Sequence, residues 1–308
     1  MAKTQSQNSL GKSKGKRKVD RLPVLKTYKL YLNGGFPRTE SGRSWKIEDL
    51  NGSTRAHLCR ASRKDLRDAV QAAAKARSAW GRKTAYNRGQ ILYRMAEMLE
   101  GKAEEFTQVL QWSQKRTRRH ALKEVEAAID RLVCFGGWAD KFPQVLGCAN
   151  PVAGPYYNFT VPEATGVIAV IAPDAQPLLA LVSLLAPPLC AGNTVVALGS
   201  ESQPAATALF GEVCATSDVP PGVVNLLTGF RQELLPVVRD HRGVDGIHAA
   251  VDDAEERRTL ELGRAENLKR VRVLDAGAVD WYDPRECHSP YWIEPFLEMK
   301  TIWHPSSS

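Results

Sequence analysis

Closely spaced cysteines are missing from this sequence. Its six cysteines stand far apart, at positions 59, 134, 148, 190, 214 and 287. Without a C-x-x-C motif there is no signature of a zinc site or a thiol–disulfide redox centre, and we predict no metal site. Cys134, Cys190 and Cys214 lie in apolar stretches and are predicted to be small buried side chains, which favours a reducing, cytoplasmic setting.

A long uninterrupted apolar run is missing as well. The longest candidate, PLLALVSLLAPPLCAG at 177–192, is too short and too broken by proline to span a bilayer. The first 20 residues lack the apolar core of a secretory signal peptide. We therefore expect no membrane association.

Negative charge is nearly absent from residues 1–20, which hold six lysines and arginines against Asp20 alone. This tail supplies +5 of the net charge of +8, so the remainder of the chain is only mildly basic. Its polar composition predicts disorder and favours a solubilising or linking extension. A polyanion-binding arm is the alternative, but a nucleic-acid partner is not expected.

Regular hydrophobic patterns cover most of the remaining chain. Residues 62–80 predict an amphipathic helix with Ser62 as its N-cap. Further helices are predicted at about 84–100, 102–112 and 117–140.

From residue 160 onwards, apolar strands alternate with helices. The predicted strands are 166–172, 194–198, 223–227, 246–250 and 271–274. The predicted helices between them are 177–190, 203–215, 231–240 and 253–263. Strict alternation with short links predicts an α/β fold with a doubly wound, parallel, Rossmann-like sheet, in which ligands bind beyond the carboxyl ends of the strands.

Two segments of this region, APPLCAGNTVV (186–196) and PPGVVNLLTG (220–229), resemble the coenzyme-binding domain of NAD(P)-dependent aldehyde dehydrogenases. KLYLNGGF, CFGGWADK and LELG agree with the same family. The similarity covers residues 26–275 and 296–305, and the ending FLEMKTIWHP resembles the strand that family members use as an oligomerisation arm. The resemblance implies a tail at 1–20, a coenzyme-binding domain at 21–275, and a linker with the oligomerisation strand at 276–308. The family's catalytic domain is expected to be absent.

Five positions match the family's cofactor contacts: Pro173, Leu198, Ser200, Glu201 and Gly229. Leu198 stands where the family has a lysine that holds the adenosine ribose, whereas Glu201 matches the ribose-region glutamate. Asp252 would bring a negative charge near the two phosphates, and the loop TGFRQELL lacks the family's closely spaced glycines. We therefore expect binding of NAD or NADP to be weak or absent.

The catalytic residues that the resemblance implies are incomplete. Glu261 matches the family's general base, but no segment resembles the one that carries the nucleophilic thiol. Ala175 stands at the position of the asparagine that stabilises the oxyanion, and a methyl group cannot donate a hydrogen bond. Cys287 is the only later cysteine, and in an extended segment its neighbour His288 would point to the opposite face. An unpaired loop cysteine is the favoured interpretation, and a Cys287–His288 dyad is the alternative.

The resemblance therefore implies a catalytically silent family member, similar to the inactive half of two-part aldehyde dehydrogenases. Such a chain would serve as a subunit in a homo- or hetero-oligomer, with a full-length aldehyde dehydrogenase as the expected partner. The terminal strand MKTIWH would pair with the partner's sheet, or alternatively fold back on the chain's own segment PYYNFTV. A nucleotide-binding protein and an active oxidoreductase acting on aldehydes at an unrecognised site remain alternative functions.

Overall fold

The computed structural model describes residues 24–112 and 115–306, so the predicted tail at 1–20 lies outside the described residues. The strands are β1 (Lys26–Tyr28), β2 (Ser44–Glu48), β3 (Thr54–Cys59), β4 (Cys148–Ala149), β5 (Tyr156–Ala164), β6 (Val167–Ile171), β7 (Thr194–Leu198), β8 (Val224–Leu227), β9 (Gly246–Val251), β10 (Arg270–Asp275) and β11 (Leu297–Pro305). The α-helices are α1 (Arg63–Gly81), α2 (Ala85–Glu100), α3 (Ala103–Gln111), α4 (Arg118–Trp138), α5 (Phe142–Leu146), α6 (Pro177–Ala191), α7 (Pro204–Ala215), α8 (Arg231–Asp240), α9 (Ala254–Glu261), α10 (Gly263–Asn267) and α11 (Pro284–Cys287).

Five strands form a parallel sheet in the order β10-β9-β6-β7-β8. The chain enters the sheet at β6, adds β7 and β8 on one side, and then crosses over to add β9 and β10 on the other. This arrangement confirms the predicted doubly wound α/β fold. The strand order reverses between β6 and β9, and in such sheets the ligand crevice lies at the carboxyl ends of the strands beside that reversal.

The sheet is covered on both faces, which explains its continuous apolar strands. In β6, Ile168 and Val170 pack into the core on the face covered by α6, while the alternate residues Ala169 and Ile171 pack against α1 and α8 on the other face. Every residue of α6 is buried. No helix within the described residues is long and apolar enough to cross a membrane.

The predicted helix at 253–263 is divided at Leu262 into α9 and α10. At the junction the Ala265 N–H donates to the Leu262 carbonyl, which is three residues back rather than four. This tighter turn interrupts the α-helical hydrogen bonding. The other predicted helices and strands of the α/β region match the structure within one or two residues.

The terminal strand β11 pairs with β5 of its own chain, antiparallel, from Leu297 opposite Ala164 to Pro305 opposite Tyr156. We call the sheet β11-β5-β4 the arm sheet. The strand therefore folds back on PYYNFTV, as in the alternative interpretation, and one of its two edges is already paired within the chain. The outer edge of β11 pairs with no strand of the described residues.

The segment between β10 and β11 packs against the domain rather than crossing its surface as a loop. Trp281, Cys287, Trp292 and Phe296 are all buried. The Arg131 guanidinium on α4 donates to the Trp281 carbonyl at 2.8 Å. Cys287 ends helix α11, so its assignment to a loop is wrong, although its thiol is free.

Helices α2 and α4 cross through a close backbone approach. A Cβ placed on Gly89 would lie 2.7 Å from the Gly136 carbonyl oxygen. We expect Gly89→Ala to lower the free energy of unfolding by about 1–3 kcal/mol, because the backbone of α4 must move to admit the methyl group. Equilibrium urea unfolding measures this change.

Gly137→Ala is the matched control on the exposed side of α4, where an added Cβ would meet only the Lys141 ammonium, at 3.7 Å. It should raise stability by about 0.5–1 kcal/mol because alanine favours a helix over glycine. Equal destabilisation by both variants would contradict the close crossing.

Candidate functional site

The carboxyl edge of the parallel sheet holds a cluster of charged and polar side chains. Asp174 follows β6, Ser200 and Glu201 follow β7, Arg231 opens α8 after β8, and Glu256 lies in the first turn of α9 after β9. Because the strands are parallel, their following loops meet at this one edge. These residues define the crevice described below.

Asp174 binds the loop that leads from β7 into α7. One carboxylate oxygen accepts hydrogen bonds from the Ser200 hydroxyl at 2.7 Å, the Glu201 N–H at 2.8 Å and the Ser202 N–H at 3.0 Å. Backbone N–H groups in such a loop are the donors that commonly hold an anionic ligand. In this chain two of them are already occupied by a carboxylate of the protein.

The Arg231 guanidinium lies across the ends of β6 and β9. It donates to the Ala172 carbonyl at 2.7 Å and stands 3.4 Å from Asp174 and 3.6 Å from Glu256. Its side chain is only 10% exposed. The Arg231 backbone N–H donates to the Glu201 carboxylate at 3.0 Å. The point where the strand order reverses is therefore filled by an arginine of the chain itself.

The electrostatics of the crevice follow from this arginine. Burial alone would raise the pKa of Asp174, but the Ser200 hydrogen bond and the Arg231 charge hold it below its usual range. Burial raises the pKa of Glu256, with Arg231 opposing the rise and the nearby carboxylates adding to it. The crevice is thus an acidic cluster held together by one buried cation.

The amino end of α6 is also occupied from within. The buried Glu124 carboxylate of α4 accepts from the Leu178 N–H at 2.9 Å and the Leu179 N–H at 3.3 Å. Arg116 forms an ion pair with the same carboxylate. Burial raises the pKa of Glu124, while Arg116 and the two N–H donors oppose that rise. The helix end beside Ala175 therefore has its first donors engaged.

The five predicted cofactor positions divide into two groups. Ser200 and Glu201 lie in the crevice and are bound to Asp174 and Arg231. Pro173 and Leu198 are buried, and Leu198 belongs to the core beside α1. Gly229 is packed so closely that an added Cβ would lie 2.8 Å from Leu234. The last three positions pack against other residues of the chain, and their contact with a cofactor stays a prediction.

The predicted catalytic positions do not come together. Glu261 is exposed at the end of α9 and forms no side-chain hydrogen bond or ion pair with any described residue. Cys287 Sγ contacts the Asp280 carbonyl at 3.5 Å and forms no hydrogen bond with His288 in the described part of the chain. Burial raises the pKa of Cys287, although Arg131 opposes the rise. Asp252 accepts from the Gly277 N–H at 2.9 Å and so supports the turn after β10.

Sequence reasoning missed the residues that organise the crevice: Asp174, Arg231 and Glu256. A signal for Arg231 was present, because TGFRQELL lacks the expected glycines and places an arginine directly after β8. Asp174 could have been found as a carboxylate directly after the first buried strand. Glu124 gave no signal, since its pairing with α6 connects positions 54 residues apart.

A doubly wound, parallel sheet with a crevice at its carboxyl edge is an architecture that many nucleotide-binding domains share. The family model described as "Aldehyde dehydrogenase family" matches residues 38–279. The chain therefore belongs to the aldehyde dehydrogenase family.

Relatives and solved structures agree with this family. Retinal dehydrogenase 2 of Gallus gallus is 32% identical over 256 residues, which are 81% of this chain and 48% of that protein. A putative aldehyde dehydrogenase from Burkholderia cenocepacia has a TM-score of 0.75 at 30% identity, covering 80% of this chain and 50% of the other. PnpE in complex with nicotinamide adenine dinucleotide gives the same TM-score at 29% identity, covering 80% of this chain and 50% of that chain. The chain spans about half the length of the curated relatives it matches.

No group of three or more histidine, cysteine, aspartate or glutamate side chains in 24–112 and 115–306 is arranged to hold an ion. The acidic residues of the crevice are instead neutralised by Arg231 and by backbone donors.

Replacing Asp174 tests the internal network of the crevice. We expect Asp174→Ala to lower the free energy of unfolding by about 1 kcal/mol, because three part-buried or exposed donors and the Arg231 charge lose one acceptor, while solvent screens the half-exposed carboxylate. The pKa of Asp174 is lowered in the folded state, so its stabilisation is lost as the pH falls through that pKa. The difference from the parent chain in urea unfolding should therefore shrink below about pH 4.

Asp68→Ala is the control, because Asp68 forms only an exposed ion pair with Arg67 on α1. It should change stability by less than about 0.5 kcal/mol. A parent chain and an Asp174→Ala variant that unfold at the same urea concentration at pH 7 would refute the network.

Proposed function

We propose that this chain is a catalytically silent member of the aldehyde dehydrogenase family that associates, as a structural or regulatory subunit, with an active NAD(P)-dependent aldehyde dehydrogenase. The observation that carries the proposal is the filling of the crevice. Arg231 lies where a dinucleotide would bind, and Asp174 accepts the loop N–H groups that a dinucleotide would need as donors. A cytoplasmic setting stays a prediction.

The residues of the crevice do not fit NAD or NADP. Ligand phosphates in such folds bind helix amino ends and loop N–H groups. Here the Glu201 and Ser202 N–H groups donate to Asp174, and the first donors of α6 donate to Glu124. The carboxylates of the crevice would also repel a pyrophosphate. These contacts support weak or absent dinucleotide binding.

Thiol-based aldehyde oxidation also lacks its groups in the described residues. Cys287 is buried and its pKa is raised, so the thiolate that would attack an aldehyde is disfavoured. Glu261 has no thiol partner, and Ala175 supplies no side-chain donor. These features support a silent role for this chain.

The partnership rests on the arm sheet. Its two faces expose aromatic and aliphatic side chains, with Tyr157 65% and Trp303 60% exposed. The outer edge of β11 offers backbone N–H and C=O groups to a further strand. Exposed apolar groups beside an open strand edge favour association with another chain. The proposed partner is a full-length aldehyde dehydrogenase, which would pair one of its strands with the outer edge of β11.

Dinucleotide binding gives the first test of the proposed function. Calorimetric titration of the full chain with NAD and with NADP should show no saturable binding up to low-millimolar concentrations. A dissociation constant near 1 μM, about −8 kcal/mol, would contradict the proposal and favour a nucleotide-binding protein.

Aldehyde oxidation is a separate test. The isolated chain should not turn over any aldehyde of a panel with NAD or NADP, and turnover that disappears in Cys287→Ser would reinstate the Cys287–His288 dyad.

Partner binding gives the second test. We expect the double variant Ile302→Lys, Trp303→Lys to abolish co-elution with the candidate full-length aldehyde dehydrogenase in size-exclusion chromatography, because both side chains are exposed on β11. The double variant Tyr86→Lys, Tyr93→Lys adds the same charge to exposed positions on α2 and should co-elute normally. Unchanged co-elution of the β11 variant would exclude the arm sheet as the docking element.

A further inference from the structure

A second cleft lies at the opposite end of the parallel sheet from the crevice. It has a volume of about 760 Å³ and is bordered by the carboxyl ends of α1 and α6, by the end of β5 and by Lys300 of β11. Gly166, directly before β6, and Gly192, directly after α6, are among its lining residues. The volume is within the range of small-molecule sites, roughly 300–1,000 Å³. We call it the basic cleft.

The lining of the basic cleft has an excess of positive charge. Its charged side chains are Arg77, Arg82, Arg88, Lys300 and Glu163. Glu163, the one carboxylate among them, forms an ion pair with Lys300.

The three arginines of the cleft have few acidic partners. Arg77 stands 3.6 Å from Asp245. Arg82 donates to the Ser78 hydroxyl at 2.6 Å and forms no ion pair with a residue of 24–112 or 115–306. Arg88 likewise has no ion pair in the described chain. Two guanidinium charges are therefore left without a carboxylate.

Arg88 is the most informative of these residues because it is 8% exposed. Its Nε donates to the Cys190 carbonyl at 3.0 Å and its Nη1 to the Lys83 carbonyl at 2.6 Å. These two bonds fix the guanidinium at the end of α6. Its Nη2 has no acceptor among the described residues. This nitrogen is open to the cleft, where an anion would be its acceptor.

The wall beside Arg88 is backbone without a side chain. Gly192 has a φ of +98°, and an added Cβ would lie 3.3 Å from Gly81 Cα and 3.7 Å from Arg88 Cζ. The left-handed backbone requires glycine at this position. Its missing side chain also leaves the Arg88 guanidinium accessible from the cleft.

We propose that the basic cleft binds a phosphate-bearing small molecule through Arg77, Arg82 and Arg88. A guanidinium presents planar paired donors that match phosphate oxygens, and several guanidiniums can share the three or four oxygens of one phosphate group. The Cys190 and Lys83 carbonyls account for two donors of Arg88, but its Nη2 has no acceptor and Arg82 has no carboxylate partner among the described residues. A phosphate supplies both the charge and the acceptors that these groups lack.

Inorganic pyrophosphate is the probe that tests the proposal. Calorimetric titration of the full chain at low ionic strength should show saturable binding, which an equal ionic strength of chloride does not reproduce. Arg82→Gln, an exposed substitution at the rim, should weaken the binding about tenfold, the effect of one charge-assisted contact. Arg77→Gln should weaken it in the same direction.

Arg67→Gln is the matched control, because it removes one arginine charge from α1, the helix that also carries Arg77, away from the cleft. It should bind pyrophosphate like the parent chain. Equal weakening by Arg67→Gln and Arg82→Gln would mean general charge attraction and would overturn the proposal. Weakening by Arg231→Gln instead of Arg82→Gln would move the site to the crevice and would also overturn it, as would no saturable binding at all.

Discussion

The carboxyl edge of the sheet depends on one constraint, which is that a buried guanidinium must be neutralised. Arg231 is placed by the start of α8 at the reversal of strand order, where its side chain is 10% exposed. A charge in that position needs acceptors, and Ala172, Asp174 and Glu256 provide them from the ends of β6 and β9. Three separate connections of the fold are thereby fixed to one another.

Once Asp174 is held by Arg231, its carboxylate also orders the loop after β7. Two backbone N–H groups that could bind a ligand become structural donors instead. Glu124 has the corresponding effect on α6, from a different helix. The chain thus satisfies internally the donors that the fold presents at this edge, and an exogenous anion would have to displace carboxylates that already have good geometry.

Much of the fold could be predicted from the sequence because burial leaves a direct signal. Strands such as β6 and β7 are covered on both faces, so they read as continuous apolar runs, and their helices follow at regular spacing. The crevice was less predictable. Ser200 and Glu201 were identified through the family resemblance, but the Arg231–Asp174–Glu256 contacts join residues distant in sequence that no periodicity connects. The pairing of β11 with β5 was also not predictable, because the sequence of a strand does not show which other strand it will pair with.

The two ends of the sheet illustrate why fold and ligand can change independently. Residues inside β6, β7 and β9 pack against helices on both faces, so substitutions there would cost core stability. The polar residues of the crevice lie beyond the strands and outside these apolar clusters. An arginine can therefore occupy position 231 as long as partners for its charge are within reach. At the other end of the sheet, Arg88 donates to two carbonyls but has no carboxylate partner. The basic cleft therefore keeps a net positive charge, whereas the charge of Arg231 in the crevice is neutralised. In this chain the accessible anion-binding potential therefore lies at the amino end of the sheet rather than at its carboxyl edge.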